Sequence, residues 1–384
     1  MSGKNKRPST VIVEGGRRKE WRTRLVNVPV ERASTILFDN VADLESNTPE
    51  LGVYRYGLQG TATQWALSEA LTELEPGAAG TALSSTGLAA ITSALLAVLS
   101  AGDELLVTDS VYGPTRKFCD TALKRFGVST RYYDPLVGAD IAGMIGEKTR
   151  AILLESPGSL TMEIQDVPAI CVIARERGIV TLLDNTWATP LFFPAIAAGV
   201  DITILAATKY VGGHADVMIG AASATEQYFT AVQRTTWDLG HALSPDDAWL
   251  GSRGLRTMAV RLKQHEASAL RIAQWLKEQP RVGLVLHPAL PDCPGHDLWK
   301  RDFKGSSGLF AFELDGDPAA FVDSLELFGI GFSWGGYESL ALPVHPVRTV
   351  SKPPAERLVR LHVGLEDPDD LVEDLANAFT RISA

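Results

Sequence analysis

The sequence predicts an α/β fold: a mostly parallel central sheet covered by helices, preceded by an extended N-terminal arm and followed by a smaller C-terminal α+β domain. Three observations predict it. Strand-like apolar runs alternate with helical periodicity from Leu83 onward; the first 59 residues lack sustained periodicity and are rich in charge and turn residues; and beyond Gly251 one long amphipathic helix leads into short strands and helices. The chain has 384 residues, more than one core usually serves, and its 45% hydrophobic content can bury a large one. The expected division is 1–59, 60–250 and 251–384.

The arm ends in Gly52-Val53-Tyr54-Arg55-Tyr56-Gly57. A helix over Ala62–Leu74 sets Trp65, Leu67, Ala70, Leu71 and Leu74 on one side, and Pro76-Gly77 stops it. Ser84-Ser85-Thr86-Gly87 then feeds an Ala/Leu-rich helix over 88–99, whose free N–H groups and dipole suit a phosphate, although an ordinary capped helix reads the same way. Strands over Glu104–Thr108, 151–155, 180–183 and 202–206 alternate with helices over 115–126 and 167–177, which implies a parallel sheet. The last third offers a helix over 257–278, a Pro-rich connection near 288–294, strands over 309–313 and 360–363, and helices over 318–327 and 367–382.

Acidic residues outnumber basic ones by 46 to 36, and the net charge of −10 opposes broad attraction to nucleic acid or an anionic membrane. The densest basic cluster, Arg17-Arg18-Lys19 with Arg22 and Arg24, is interrupted by Glu20 and reads as a solvated or subunit-contacting arm. Arg17-Arg18 is not followed by the apolar core of an export signal. Cys119, Cys171 and Cys293 form neither a disulfide framework nor a metal knuckle, which fits a reducing cytoplasm. The longest apolar stretch, 191–208, contains Pro194 and Asp201 and does not suit a lipid-spanning helix.

Two strings point elsewhere and fail on context. Gly331-Phe332-Ser333-Trp334-Gly335 satisfies the GxSxG of a hydrolase elbow, but Gly336-Tyr337 follows where a helix belongs. His265-Glu266 begins an HExxH zinc string whose closing position is Ala269, so no metal site is expected.

The chemistry is carried by Leu182-Leu183-Asp184-Asn185-Thr186 and, 25 positions after that aspartate, the lysine of Ala207-Thr208-Lys209-Tyr210. Both residues follow buried parallel strands, at the sheet edge where ligands of open α/β folds sit. An acid and a lysine so placed outline a pyridoxal phosphate site. The lysine would bind the cofactor aldehyde covalently, and the acid would keep the ring nitrogen protonated so that the ring accepts electrons.

Further strings complete a pattern: Tyr54-Arg55-Tyr56-Gly57, Thr86-Gly87-Leu88-Ala89-Ala90, Val111-Tyr112-Gly113-Pro114, Glu155-Ser156-Pro157-Gly158-Ser159, Ser333-Trp334-Gly335-Gly336-Tyr337-Glu338-Ser339 and Arg360-Leu361-His362-Val363-Gly364. In these and in their order the chain resembles, over nearly its whole length, the cysteine and methionine metabolism family of fold-type I pyridoxal phosphate enzymes. The resemblance implies the fold-type I transferase architecture, Lys209 as the cofactor-binding and catalytic lysine, Asp184 on the ring nitrogen, Tyr112 stacked on the ring, and Gly87, Leu88 and Thr208 on the phosphate. Thr186 and Tyr56 join the cofactor-binding set. Tyr112 and Tyr56 count as catalytic with Lys209, and Tyr56 comes from a neighbouring subunit, so the arm serves that neighbour and a homotetramer of dimers is implied. Arg360 would clasp the substrate α-carboxylate, with Ser333, Trp334 and Ser159 also on the substrate.

Within the family, Ser333-Trp334-Gly335-Gly336-Tyr337-Glu338-Ser339-Leu340 and Gly158-Ser159 resemble the branch that eliminates at Cβ. The implied activity is carbon–sulfur cleavage of L-cystathionine or other cysteine S-conjugates, in cytoplasmic transsulfuration and methionine biosynthesis. The rivals are a γ-acting relative and a catalytically weak relative kept for interaction, against which intact Lys209, Asp184, Tyr112 and Arg360 speak. One departure stands out: Tyr56-Gly57-Leu58-Gln59-Gly60 carries Leu58 where relatives place an arginine that reaches across to the phosphate.

Overall fold

The computed structural model describes residues 6–46 and 51–381. Residues 1–5 and 47–50 of the expected arm, and residue 382 of the expected last helix, lie outside the described residues.

Seven strands form the larger sheet: β1 (Gly80–Ser84), β2 (Glu104–Thr108), β3 (Ser129–Tyr133), β4 (Thr149–Glu155), β5 (Val180–Asp184), β6 (Ile202–Leu205) and β7 (Gly220–Ala224), in the order β1-β7-β6-β5-β4-β2-β3. All run parallel except β7, which lies antiparallel between β1 and β6. The central strands are apolar on both faces, as a helix-covered parallel sheet demands. Leu105, Val107, Leu153 and Leu182 enter one core with the helix Gly87–Val98, while Leu106, Ile152, Leu154 and Leu183 enter another with the helix Val167–Glu176.

The smaller sheet holds β8 (Val282–Leu286), β9 (Leu309–Leu314), β10 (Gly329–Ile330), β11 (Leu340–Val344) and β12 (Leu358–His362), ordered β10-β11-β12-β9-β8. Along β9 the pleat sends Phe310, Phe312 and Leu314 toward the helices Met258–Lys277 and Pro368–Arg381. Leu309 and Ala311 go instead into the core shared with Trp187 of the larger sheet's loops. That shared core fixes the β12 residues relative to the ends of β5 and β6.

Three features differ from the sequence reading. The arm carries short helices, Pro8–Glu14, Lys19–Arg22 and Val41–Ser46, too brief to show periodicity. The first buries Ile12 against Leu67 and Leu71, and Arg256 holds its end by donating to the carbonyls of Ile12 and Gly15. The basic cluster folds onto its own backbone: Arg17 donates to Val26 O, and Arg22 to Leu25 O. The helix expected over 115–126 begins at Gly113 and contains a π-turn, Cys119–Leu123. β1, β3, β7, β8, β10 and β11 and the helices Glu226–Asp238 and Pro245–Leu255 were not legible as elements. Gly80–Ser84 and Gly220–Ala224 are small-residue strands whose sheet partners, not their composition, hold them extended.

Candidate active site

Asp184 closes β5, and its neighbours fix its carboxylate. The N–H and hydroxyl of Thr186 donate to Oδ1 at 3.0 and 2.5 Å, and the Thr186 hydroxyl in turn receives the Ala206 N–H at 2.8 Å. Burial pushes the Asp184 carboxyl up, while the two Thr186 bonds and the Lys209 cation pull it down. In the sheet register its neighbour is Glu155, the last residue of β4. Burial and the Asp184 charge push Glu155 well above the carboxylate range, and its Oε2 receives the Tyr112 N–H at 2.7 Å.

Lys209 lies just past β6. Burial, then the Arg360 cation, lowers its ammonium to about 8 against the opposite pull of Asp184. Its Nζ donates to Ser333 Oγ at 2.5 Å and stands 5.4 Å from the centre of the Trp334 ring. Arg360, on β12, donates through Nη2 to the Ser333 carbonyl at 3.0 Å, and burial brings its guanidinium down to about 10. The loop between β10 and β11 therefore meets both cations with one residue.

Ser333 has φ +83°, a strained value for serine, yet no helix follows it and its hydroxyl meets a lysine, so it is not a hydrolase elbow.

The helix Gly87–Val98 points its start at the same edge. Thr86 caps it by accepting the Ala89 N–H at 3.0 Å, which leaves the first-turn N–H groups of Gly87 and Leu88 for an anion. Gly87 must be glycine, because a Cβ there would lie 2.5 Å from the Ala206 Cβ. The Thr208 hydroxyl receives the Ile219 N–H at 2.8 Å and donates to the Ile219 carbonyl.

Tyr112 is 45% exposed, with its phenol pushed up by burial, Glu155 and Asp184. The Ser159 N–H donates to Ser110 O, two residues from Tyr112. Tyr56 is 51% exposed and pairs with Thr35 in an isolated bridge; among the described residues no hydrogen bond or ring contact joins it to Lys209 or Asp184 in this subunit.

The structure thus couples Lys209, Asp184, Ser333, Trp334, Arg360 and Tyr112, and it shows no such coupling for Tyr56. Glu155 and His362 gained no individual role in the sequence reading. Glu155 is found only by strand register, and His362 only by its bond to Gly335, 27 positions away.

The residues fit pyridoxal phosphate. An amine lowered to about 8 can react with an aldehyde near neutral pH, and a helix start with free N–H groups suits a phosphate. A carboxylate desolvated without a full ion pair suits a group that brings positive charge. Among the described residues no cluster of three or more His, Cys, Asp or Glu could hold a metal ion, and no helix is long and apolar enough to cross a membrane.

Comparison with known proteins gives a consistent result. The family profile described as Cys/Met metabolism PLP-dependent enzyme matches residues 9–380. The cystathionine beta-lyase of Escherichia coli (strain K12) is 42% identical over 98% of this chain and 99% of its own length, and that of Salmonella typhimurium is 43% identical over the same shares. The crystal structure of cystathionine gamma-lyase from Lactobacillus plantarum complexed with L-serine superimposes with a TM-score of 0.90, at 30% identity, over 98% of this chain and 99% of that one.

Proposed function

The chain belongs to the Cys/Met metabolism family of PLP-dependent enzymes, and from that premise we propose that it is a cystathionine β-lyase, cleaving L-cystathionine to homocysteine, pyruvate and ammonia. The observation that carries this reading is the joint hold of Lys209 and Arg360 on Ser333, with the Lys209 amine 5.4 Å from the centre of the Trp334 ring. It sets a base and a carboxylate clasp at fixed separation.

Lys209, Asp184, Thr208, Gly87 and Leu88 would hold the cofactor, with Thr186 acting through Asp184. When bound, pyridoxal phosphate supplies an aldehyde that joins the substrate amine and a ring that accepts the electron pair released at Cα. Arg360 retains its charge at neutral pH and takes the α-carboxylate through N–H groups not committed to Ser333. Lys209, a partly neutral amine at that pH, removes the Cα proton and returns a proton to the departing sulfur. Ser333 orients the amine for both transfers. The released 2-aminoacrylate hydrolyses in water to pyruvate and ammonia.

Tyr112 faces the cofactor ring, Ser159 and Trp334 border the substrate, and Tyr56 serves the neighbouring subunit's site in a homotetramer of dimers. The half-exposed Tyr56 and Tyr112 rings support that sharing. Three buried free thiols support a reducing, cytoplasmic setting and a role in transsulfuration or methionine biosynthesis. The presence of two separate sheets supports a division into an arm, 60–250 and 251–384.

Incubation with L-cystathionine and identification of the keto acid tests the reaction. Pyruvate is expected; 2-oxobutyrate as the main product would assign the γ-acting alternative. Lys209→Ala should lose both turnover and the cofactor's visible absorbance while keeping its circular dichroism. Full activity in that variant would remove Lys209 from the mechanism.

A further inference from the structure

The loop that carries Ser333 is held in place from outside. Ser333 at φ +83° and Gly335 at φ +87° put two left-handed residues within three positions, a value that glycine takes freely but that strains serine. It lies directly on the catalytic lysine: a Cβ on Gly335 would come 3.0 Å from Lys209 C and 3.1 Å from its Cα. Beside the bonds from Lys209 and Arg360 to Ser333, the loop is held by the Gly335 N–H, 3.0 Å from Nε2 of the fully buried His362.

We infer that His362 is a positioning residue, locked as its Nδ1–H tautomer so that its Nε2 lone pair receives the Gly335 N–H and fixes the loop presenting Ser333 to Lys209 and Arg360. The inference rests on the roles proposed above for those two cations.

The tautomer follows from neighbouring groups. Nε2 of His362 also lies 3.1 Å from Gly336 O, and one nitrogen cannot both accept from the N–H and donate to the carbonyl. His265 decides between them. Its ring centre is 5.2 Å from that of His362, and its Nδ1, 2.8 Å from Val363 O, must carry the proton because a carbonyl only accepts. Its Nε2 is then a bare lone pair, since burial lowers His265 to about 4 and His362 to about 3, so both rings are neutral.

Among the described residues, His265 Nε2 and His362 Nδ1 are both buried without a hydrogen-bond partner. A bare Nδ1 on His362 would bury two lone pairs on adjacent rings and turn Nε2–H against the Gly335 N–H. A protonated Nδ1 sets a donor in the same buried space as the His265 lone pair and gives Gly335 its acceptor. The two bonds that fix this pair of rings are therefore His265 Nδ1–H to Val363 O and Gly335 N–H to His362 Nε2.

The test has a spectroscopic arm and a kinetic arm. In long-range 1H–15N spectra of histidine-labelled holoenzyme at pH 7, the signals lost in His362→Gln should show a neutral ring protonated at Nδ1. A ring protonated at Nε2, or doubly protonated, overturns the inference. In kinetics, His362→Phe keeps the ring but not the acceptor and should lower kcat/KM by about tenfold, the typical effect of one lost hydrogen bond. His362→Gln, which offers an oxygen near the Nε2 position, should stay within about threefold of wild type. A Phe variant as active as wild type, or a folded Gln variant with a tenfold loss, overturns the acceptor role. Should His362→Phe fail to fold, the spectrum and the Gln variant still decide. The spectrum is independent of the reaction, so an enzyme releasing 2-oxobutyrate would sink the proposed function and leave the tautomer standing.

Discussion

Lys209 and Ser333, 124 positions apart, meet at 2.5 Å, with the amine donating to the hydroxyl. The contact joins the edge of the larger sheet to a loop of the smaller one. The Ser333 carbonyl simultaneously receives Arg360, so a single strained residue spaces the proposed base from the proposed carboxylate clasp.

Asp184→Asn removes the negative charge while leaving a side chain that can still accept from Thr186. The expected outcome is a folded protein with kcat lowered by about a hundredfold or more, because an uncharged partner stabilises a protonated ring nitrogen poorly. Steady-state rates at matched cofactor content check it; a rate near wild type would dismiss the electrostatic role.

Capture of pyridoxal phosphate by cofactor-free protein requires the unprotonated Lys209 amine. Its rate should rise with pH, reaching half its maximum near about 8, because burial and then Arg360 lower the ammonium. Arg360→Gln removes a like charge and moves the midpoint up; Asp184→Asn removes an opposite charge and moves it down. Stopped-flow absorbance reads all three. An unchanged midpoint in both variants would show that neither charge reaches the amine.

Glu75 is 1% exposed, and burial pushes its carboxyl up to about 8 even though the Ile196 N–H donates to it at 3.0 Å. The folded protein keeps this proton to about pH 8, whereas the unfolded chain releases it near 4.5. The stabilisation is therefore complete below 4.5 and is lost as pH rises toward 8, by at most about 1.4 kcal/mol per pH unit. Glu75→Gln should flatten the fall of thermal stability between pH 5 and 8. Parallel slopes in melting curves would mean that Glu75 ionises as it does in water.

Leu58 sits in the turn Gly57–Gln59, lining a cavity of about 430 Å3 with Trp65, Arg234 and Trp237 rather than standing beside Lys209. If the neighbouring subunit's phosphate lies against this turn, Leu58→Arg should slow cofactor dissociation by roughly one to two decades, the value of a charge-assisted contact. Dilution into a cofactor trap measures it. No slowing would show that the missing arginine does not limit retention.

Much of the site was legible because its parts come in short strings. Asp184 ends β5 and Lys209 follows β6, strands whose apolar runs declare themselves, and Thr86-Gly87 opens a helix with a recognisable cap. Glu155 was visible as a residue but not as the neighbour of Asp184, since that relation exists only in the register of β4 on β5. His265 appeared in the sequence only as half of a failed zinc string, whereas in the fold it packs beside His362 and Tyr210. The small-residue strand β7 escaped notice because alanine and glycine carry no strand periodicity, yet its pairing with β6 supports the Lys209 loop through Thr208 and Ile219.

By itself the sequence determined the parallel sheet, the family and the lysine and aspartate at the sheet edge, because strand hydrophobicity and local turn chemistry are written within ten or so neighbouring residues. Only the tertiary structure decided which groups act on that lysine: Ser333, Trp334 and Arg360 come from the smaller sheet. Their distances depend on a core shared by two sheets, and so do the burial and repulsion that bring Lys209 to about 8. Desolvation and Coulomb interaction act through space, and residues far apart in the chain become neighbours only when those sheets pack.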